Sequence, residues 1–320
     1  FGTVKGRAKI SFLGEEKECV NENDGDWLVS FEPKTAGGPY ELSVELDGEK
    51  TVFKNVFVGI VCLVLGQSNA EMRLNQTNTS PVLYRDNPDL RSYYVDRPWY
   101  GKEELSSADG WNTATKDTVG TWSAIGYLTG TALATETEKA VGMIFCYQGA
   151  SIIESWLGEF PVDGIIIPPE KLHPDHSYPD YVPFNRPGVI YNEMLSKFAP
   201  YAFNYVIWYQ GESDTTGAEA EVYDRYVAAL IQGIKDLFNV PKFRTALVQI
   251  ADFRGRDEWE PGWWTDIQKA QKRAADNDPD IELCVCKDIC EDNEIHPPTK
   301  TGISERIAQK LLHGSRISSV

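Results

Sequence analysis

The sequence predicts an α/β fold: a three-layer α/β/α domain around a parallel sheet, preceded by a small antiparallel β region. Two observations carry this. Continuous apolar runs of strand length recur between helix-length stretches, the mark of a parallel sheet covered on both faces. Before them, residues 1–57 read instead as short strands in which apolar and polar residues alternate.

The antiparallel region comes first. Ala8–Phe12, Trp27–Phe31 and Tyr40–Val44 alternate, and Asn23-Asp24-Gly25 and Gly37-Gly38-Pro39 separate them as turns. We read residues 1–57 as a partial β-sandwich and 58–320 as the catalytic domain. The sequence opens at Phe1 inside strand-like residues, which suggests a trimmed or processed start. Strands of the second domain are expected at Val58–Leu65, Val141–Tyr147, Tyr205–Tyr209, Thr245–Ile250 and Ile281–Cys286. Helices are expected at Thr121–Ala140, Glu219–Phe238, Trp264–Ala275 and Ser304–Leu312. Residues 74–115 and 157–188 fit neither pattern. They follow strand ends, where open α/β sheets build their sites, and read as pocket-forming loops.

Bulk properties narrow the function. Across 320 residues, 42% are hydrophobic and 25% charged, as in a globular chain, and the formal net charge is −17. That charge repels phosphate backbones and anionic headgroups, so neither nucleic acid nor membrane is expected as a partner. The longest apolar run, Val56–Leu65, falls far short of the ~20 residues of a spanning helix. The six cysteines read as reduced thiols. Cys284, Cys286 and Cys290 lack the paired spacing of a zinc knuckle. No dinucleotide fingerprint is present. We expect no metal and no cofactor.

Three segments carry chemistry. Gly66-Gln67-Ser68-Asn69 ends a predicted strand, where a hydroxyl can stand at the sheet edge beside the first amides of a helix; the structural reading of Ser68 is an N-cap. Trp208-Tyr209-Gln210-Gly211-Glu212-Ser213-Asp214 ends another. There Gln210 can offer an amide N–H to an oxyanion, and Ser213 or Asp214 can cap the next helix. Asp288 to Pro298 places His296 in an acidic loop stiffened by two prolines. Its carboxylates are expected to raise the imidazole pKa, and the ring suits the base of a serine nucleophile.

Together these segments resemble the sialate O-acetylesterase-like branch of the SGNH (GDSL-type) hydrolases. Gly66-Gln67-Ser68-Asn69 resembles that family's GQSN block. Trp208 to Ser213 resembles its WYQGES block, and Ile295-His296-Pro297 with Lys300 its IHPxxK block. Weaker likenesses at Ala36–Tyr40 and Gln148–Trp156 extend the match over about residues 20 to 312. The resemblance implies Ser68 as nucleophile, His296 as base, and an oxyanion site of the Ser68 N–H, the Gly149 N–H and Gln210. Many members carry the acid of the triad where this chain has Asn293. We therefore assign it to Asp292, with Glu294 and Asp288 in reserve, or to no acid at all. Gln67, Asn69, Arg73, Glu212 and Trp156 make up the expected substrate-binding set, with Gln67 and Asn69 also bracing the nucleophile turn and Arg73 placed to pair with a sialic acid carboxylate.

Aromatic residues reach 12%, and Trp99, Tyr100, Trp156, Tyr178, Trp259 and Trp263 fall in or near the predicted loops, where ring faces suit sugars. The expected substrate is a small molecule or oligosaccharide bearing O-acetyl groups, sialic acid first. The alternatives are an acetylxylan or broad acetylesterase, or a non-catalytic carbohydrate binder.

Overall fold

The computed structural model describes residues 2–3, 6–21, 26–100, 106, 108, 110–158, 179–253, 262–291 and 293–314. Asp292, Tyr178 and Trp259, all named above, lie outside them. The chain divides into two compact units, Phe1–Ile60 with Glu138–Ala140, and Val61–Thr137 with Val141–Val320.

In the first unit, β1 (Gly2–Thr3) pairs with β4 (Asp26–Trp27). The strands β2 (Gly6–Phe12), β3 (Glu15–Asn21), β5 (Gly37–Leu46) and β6 (Glu49–Val58) form an antiparallel sheet in the order β3-β2-β5-β6. Ala8, Ile10 and Phe12 alternate inward. The strand expected at Trp27–Phe31 is confined to Asp26–Trp27. Sequence reading missed β3 and β6, and their position explains it. Both are edges, and an edge needs no apolar alternation. Instead β3 carries charge, with Arg7–Glu18 at 2.5 Å and Lys9–Glu16 at 2.9 Å joining it to β2.

The second unit is built on a seven-stranded sheet. Its strands are β7 (Ile60–Gly66), β8 (Asn87–Tyr94), β9 (Asn112–Ala114), β10 (Val141–Tyr147), β11 (Tyr205–Tyr209), β12 (Arg244–Val248) and β13 (Ile281–Cys284). Their order is β13-β12-β11-β7-β10-β8-β9. The pairs β13–β12, β12–β11, β11–β7 and β10–β8 are parallel; β8–β9 is antiparallel. All five strands expected here are present, within two residues at each end. The sixth parallel strand, β8, falls inside the stretch read as loop. Only Leu90, Ser92 and Tyr94 of it are buried, too short an apolar signal to stand out among polar neighbours.

Both faces of the sheet are covered, as continuous apolar strands require. Leu63, Leu65, Val206, Trp208 and Leu247 join one core with Tyr223, Leu230 and Ile234 of α4 (Gly217–Phe238) and Ile267 and Ala270 of α5 (Trp263–Asn277). The alternate residues Cys62, Val64, Ile207 and Ala246 are equally buried. The second helix pair is α2 (Ala124–Thr137) with α6 (Thr301–His313), which packs on β12 and β13. The four-residue α1 (Ser68–Glu71) and the short α3 (Val189–Glu193) are the remaining α-helices among the described residues. All six cysteines are free, and Cys62, Cys146, Cys284 and Cys286 are buried.

The chain starts this sheet at its middle, builds β8, β9 and β10 on one side, then crosses to β11, β12 and β13. The reversal at β7 is the switch point where such sheets hold their ligands.

Candidate active site

Ser68 is the first residue of α1, with Gln67 alone between it and the end of β7. The turn needs Gly66, whose φ is +135°; a Cβ there would meet the Tyr209 carbonyl oxygen at 2.1 Å. Gln67 N–H donates to the Tyr209 carbonyl at 3.0 Å, and Gln148 N–H donates to the Gly66 carbonyl at 2.9 Å. The ends of β11, β7 and β10 are thus tied together, and an open cleft of about 590 Å³ lies above them.

His296 reaches this cleft from the loop after β13, and its Nε2 lies 2.7 Å from Ser68 Oγ. The loop is fastened at several points. Asn69 Nδ2 donates to the Ile295 carbonyl at 2.8 Å, Asn78 N–H donates to the Pro298 carbonyl at 3.2 Å, and the Thr299 hydroxyl donates to Glu291 at 2.5 Å. Asn293 has a φ of +70°, a conformation that asparagine tolerates better than most residues, and its N–H donates to the Asp252 carbonyl at 3.3 Å.

The expected upward shift of the His296 pKa is overturned. Crowding of the ring by its neighbours, and then the Lys300 cation, hold it below 6.5, against the weaker pull of Glu294 and Glu71. Of the acids considered as its orienter, Asp288 is committed to Arg306 at 2.7 and 3.0 Å, and the exposed Glu294 acts by charge alone. Lys300, fully buried, donates to Asn69 Oδ1 at 2.7 Å and faces the Tyr209 ring at 5.1 Å. Burial pushes its pKa down to about 8.

The remaining expected residues separate into two groups. Gln67, Gly149 and Glu212 line the cleft with Ser68 and His296. Gln67 Oε1 accepts the N–H groups of Gly211 and Ser213, both at 3.3 Å, which joins the turn of Ser68 to the turn after β11. Glu212 Oε1 accepts from Asn69 Nδ2 at 2.5 Å.

The other four point elsewhere. Gln210 is fully buried and its Nε2 donates downward, to the Ser151 carbonyl at 2.9 Å and to the Asp214 carboxylate; it offers no donor to the cleft. Asn69, 1% exposed, is held between Glu212, Ile295 and Lys300 and is a brace rather than a substrate contact. Trp156 is fully buried, edge-to-face on Trp208 at 5.3 Å, so it is core. Arg73 closes a local turn with Gln76 and pairs with Ser123 through its backbone; it does not line the cleft.

Sequence reading missed Glu71, Arg97, Gln148 and Tyr181 on the cleft wall. Glu71 lies three residues beyond Ser68 on the same short helix, a spacing that turns it to the same side. Arg97 and Tyr100 come from the stretch read as a pocket loop. Glu71 Oε1 pairs with Arg97 at 2.8 Å, and Glu71 Oε2 accepts the Gly149 N–H at 2.9 Å.

Beneath the cleft, Glu154, Asp214 and Glu219 bring carboxylate oxygens within 4.8 Å of one another, a spacing that can hold a cation. Protonation meets the same need: burial pushes the Glu154 pKa up to about 7, and burial with the charge of Glu154 pushes Asp214 up as well.

Residues 58–313 match the family model described as carbohydrate esterase, sialic acid-specific acetylesterase. The sialate O-acetylesterase of Homo sapiens is 23% identical over 98% of this chain, which spans 66% of that relative's length. That of Rattus norvegicus is also 23% identical, over 99% of this chain and 70% of its own. The solved structure of a carbohydrate acetylesterase from Xanthomonas citri superposes with a TM-score of 0.81 at 26% identity, over 98% of this chain and 71% of the other. A protein from Arabidopsis thaliana, at 16% identity and a TM-score of 0.52 over 79% of this chain and 98% of its own, shares the fold. The chain belongs to the family of carbohydrate esterases described as sialic acid-specific acetylesterases.

Proposed function

We propose that this chain is a serine esterase that removes O-acetyl groups from carbohydrate, with O-acetylated sialic acid as its substrate. The observation that carries the reading is the 2.7 Å contact between Ser68 Oγ and His296 Nε2 in an open cleft at the sheet's switch point. An imidazole held below its ordinary pKa is neutral at pH 7 and ready to take a proton. Membership of the family and its sialate O-acetylesterase relatives support the substrate class.

In this reading Ser68 Oγ attacks the acetyl carbonyl as His296 Nε2 accepts its proton. The tetrahedral oxyanion takes hydrogen bonds from the Ser68 and Gly149 N–H groups, each worth ~3 kcal/mol to the transition state. As the C–O bond breaks, His296 returns the proton to the departing sugar oxygen, which leaves as a hydroxyl, and water repeats the sequence on the acetyl-enzyme to release acetate. Asp292 is the proposed orienter of the imidazole. Glu212, with Asn69 and Gln67 behind it, holds the nucleophile turn and the His296 loop in one frame. The catalytic unit is residues 58–320.

The test is hydrolysis of p-nitrophenyl acetate by wild type and Ser68→Ala, followed by acetate release from O-acetylated sialic acid and from acetylated xylo-oligosaccharide. Wild type is expected to exceed Ser68→Ala by about 10⁴-fold or more in kcat/KM and to favour the sialic acid ester. Equal rates for the two proteins would make the chain a binder. A preference for the xylo-oligosaccharide would move the substrate to neutral sugars.

A further inference from the structure

The place where an oxyanion would form already holds an anion. Glu71 Oε2 accepts the Gly149 N–H at 2.9 Å, and a Cβ built on Gly149 would stand 3.1 Å from that oxygen and 3.8 Å from Ser68 Cβ. A carboxylate there uses one of the two backbone donors assigned to the oxyanion, and its charge opposes the one that develops during attack. The other carboxylate oxygen, Oε1, binds Arg97 at 2.8 Å.

The two partners of this ion pair are not equally fixed. The Arg97 side chain is 9% exposed and lies over the Tyr100 ring at 4.8 Å, whereas Glu71 is 31% exposed. Glu71 is therefore the group with room to leave. If it left with nothing in its place, a nearly buried guanidinium would lose this ion pair, which is costly. An incoming carboxylate removes that cost, because the guanidinium fork binds a carboxylate of either origin. Among the described residues that line the cleft, Arg97 is the sole lysine or arginine, in a chain of net charge −17.

We propose that Glu71 is a displaceable latch on the oxyanion site, released when the carboxylate of an acidic sugar ester takes its place on Arg97. Release frees the Gly149 N–H for the oxyanion at the moment the ester is bound. A neutral ester brings no replacement anion and finds the latch closed. Glu71 and Arg97 thereby select for carboxylate-bearing substrates at the binding step. This proposal rests on the esterase reading of the same cleft.

The experiment compares an O-acetylated sialic acid with its methyl ester, the same sugar without the negative charge. Wild type, Glu71→Gln, Glu71→Ala and Arg97→Gln are assayed after thermal melts verify folding. Wild type is expected to prefer the acid about tenfold or more in kcat/KM, the worth of one charge-assisted hydrogen-bonded pair. The methyl ester is expected to react faster in the order Glu71→Ala, Glu71→Gln, wild type, with about tenfold between the ends. Arg97→Gln is expected to lose the preference by slowing the acid. A residue that merely supported the site would slow both substrates when replaced, so the graded gain separates latch from scaffold. Slower methyl ester hydrolysis by both folded Glu71 variants, or a wild type indifferent to the carboxylate, overturns the latch. A wild type no faster than Ser68→Ala on every ester overturns the esterase reading instead.

Discussion

The turns after β7 and β11 leave adjacent parallel strands and begin alike, with a glycine and polar residues where a buried strand stops. They use those residues in opposite directions. Ser68 opens into the cleft and meets His296. Gln210 points beneath the sheet edge, where it donates to Ser151 and Asp214 and accepts from the Tyr223 hydroxyl at 2.7 Å. Gln271 Nε2 adds a bond to the Gln210 carbonyl at 3.0 Å. The first turn presents a reactive group, and the second ties helices α4 and α5 to the floor on which that group stands. A polar strand end is thus a place where a site can be built; the direction of each side chain decides whether it is.

The largest expected effect that tests this division falls on Trp156, which sequence reading put in the cleft and the structure puts in the floor. Trp156→Ala removes a fully buried indole packed on Trp208 and should lower stability by about 3–5 kcal/mol, read as a shift of the urea midpoint. An unchanged midpoint with weakened substrate binding would return this residue to the cleft.

Gln210→Ala comes next and bears on the turn itself. The substitution leaves the Ser151 carbonyl and the Asp214 carboxyl short of a donor in a dry region, a loss of about 1–3 kcal/mol in stability. An oxyanion donor behaves otherwise: its removal costs about 10²–10³ in kcat with little change in stability. Chemical denaturation and kcat measured on the same preparation distinguish the two. A large kcat loss at constant stability would place the Gln210 amide above the sheet and erase the contrast between the turns.

These two residues also mark the limit of what the sequence discloses. The central strands are legible because burial on both faces forces continuous apolar runs, as at Val141–Tyr147 and Tyr205–Tyr209. The strands β3, β6 and β8 lack that demand: β3 and β6 carry no apolar alternation to single them out, and β8 reads as loop. At the site, motif and spacing locate strand ends, and Ser68 and His296 come together from loops 228 residues apart. Direction is not in the spacing. Within one turn Glu212 lines the cleft while Gln210 faces the floor, and the two are separated by a single glycine. Glu71 and Arg97 were hidden for a further reason. Their pairing joins a helix after β7 to a loop after β8, a tertiary contact with no local pattern to announce it.

The smallest expected effect concerns the electrostatics of the cleft-facing group. In the proposed mechanism kcat/KM of the free enzyme requires a neutral His296, so the acid limb of its pH profile would mark the imidazole pKa. That pKa is held below 6.5, and the limb should therefore fall below pH 6.5, leaving activity flat through neutrality. Glu294 opposes the downward shift by stabilising the imidazolium. Glu294→Gln withdraws that support, so the limb should move further toward acid, and only slightly because the carboxylate is exposed and screened. Salt should erase part of the difference between the two proteins, as it does for any charge acting through solvent. A limb that moves toward neutrality in Glu294→Gln would mean that this carboxylate restrains the ring by contact, and the imidazole would then owe its orientation to Glu294 rather than to Asp292.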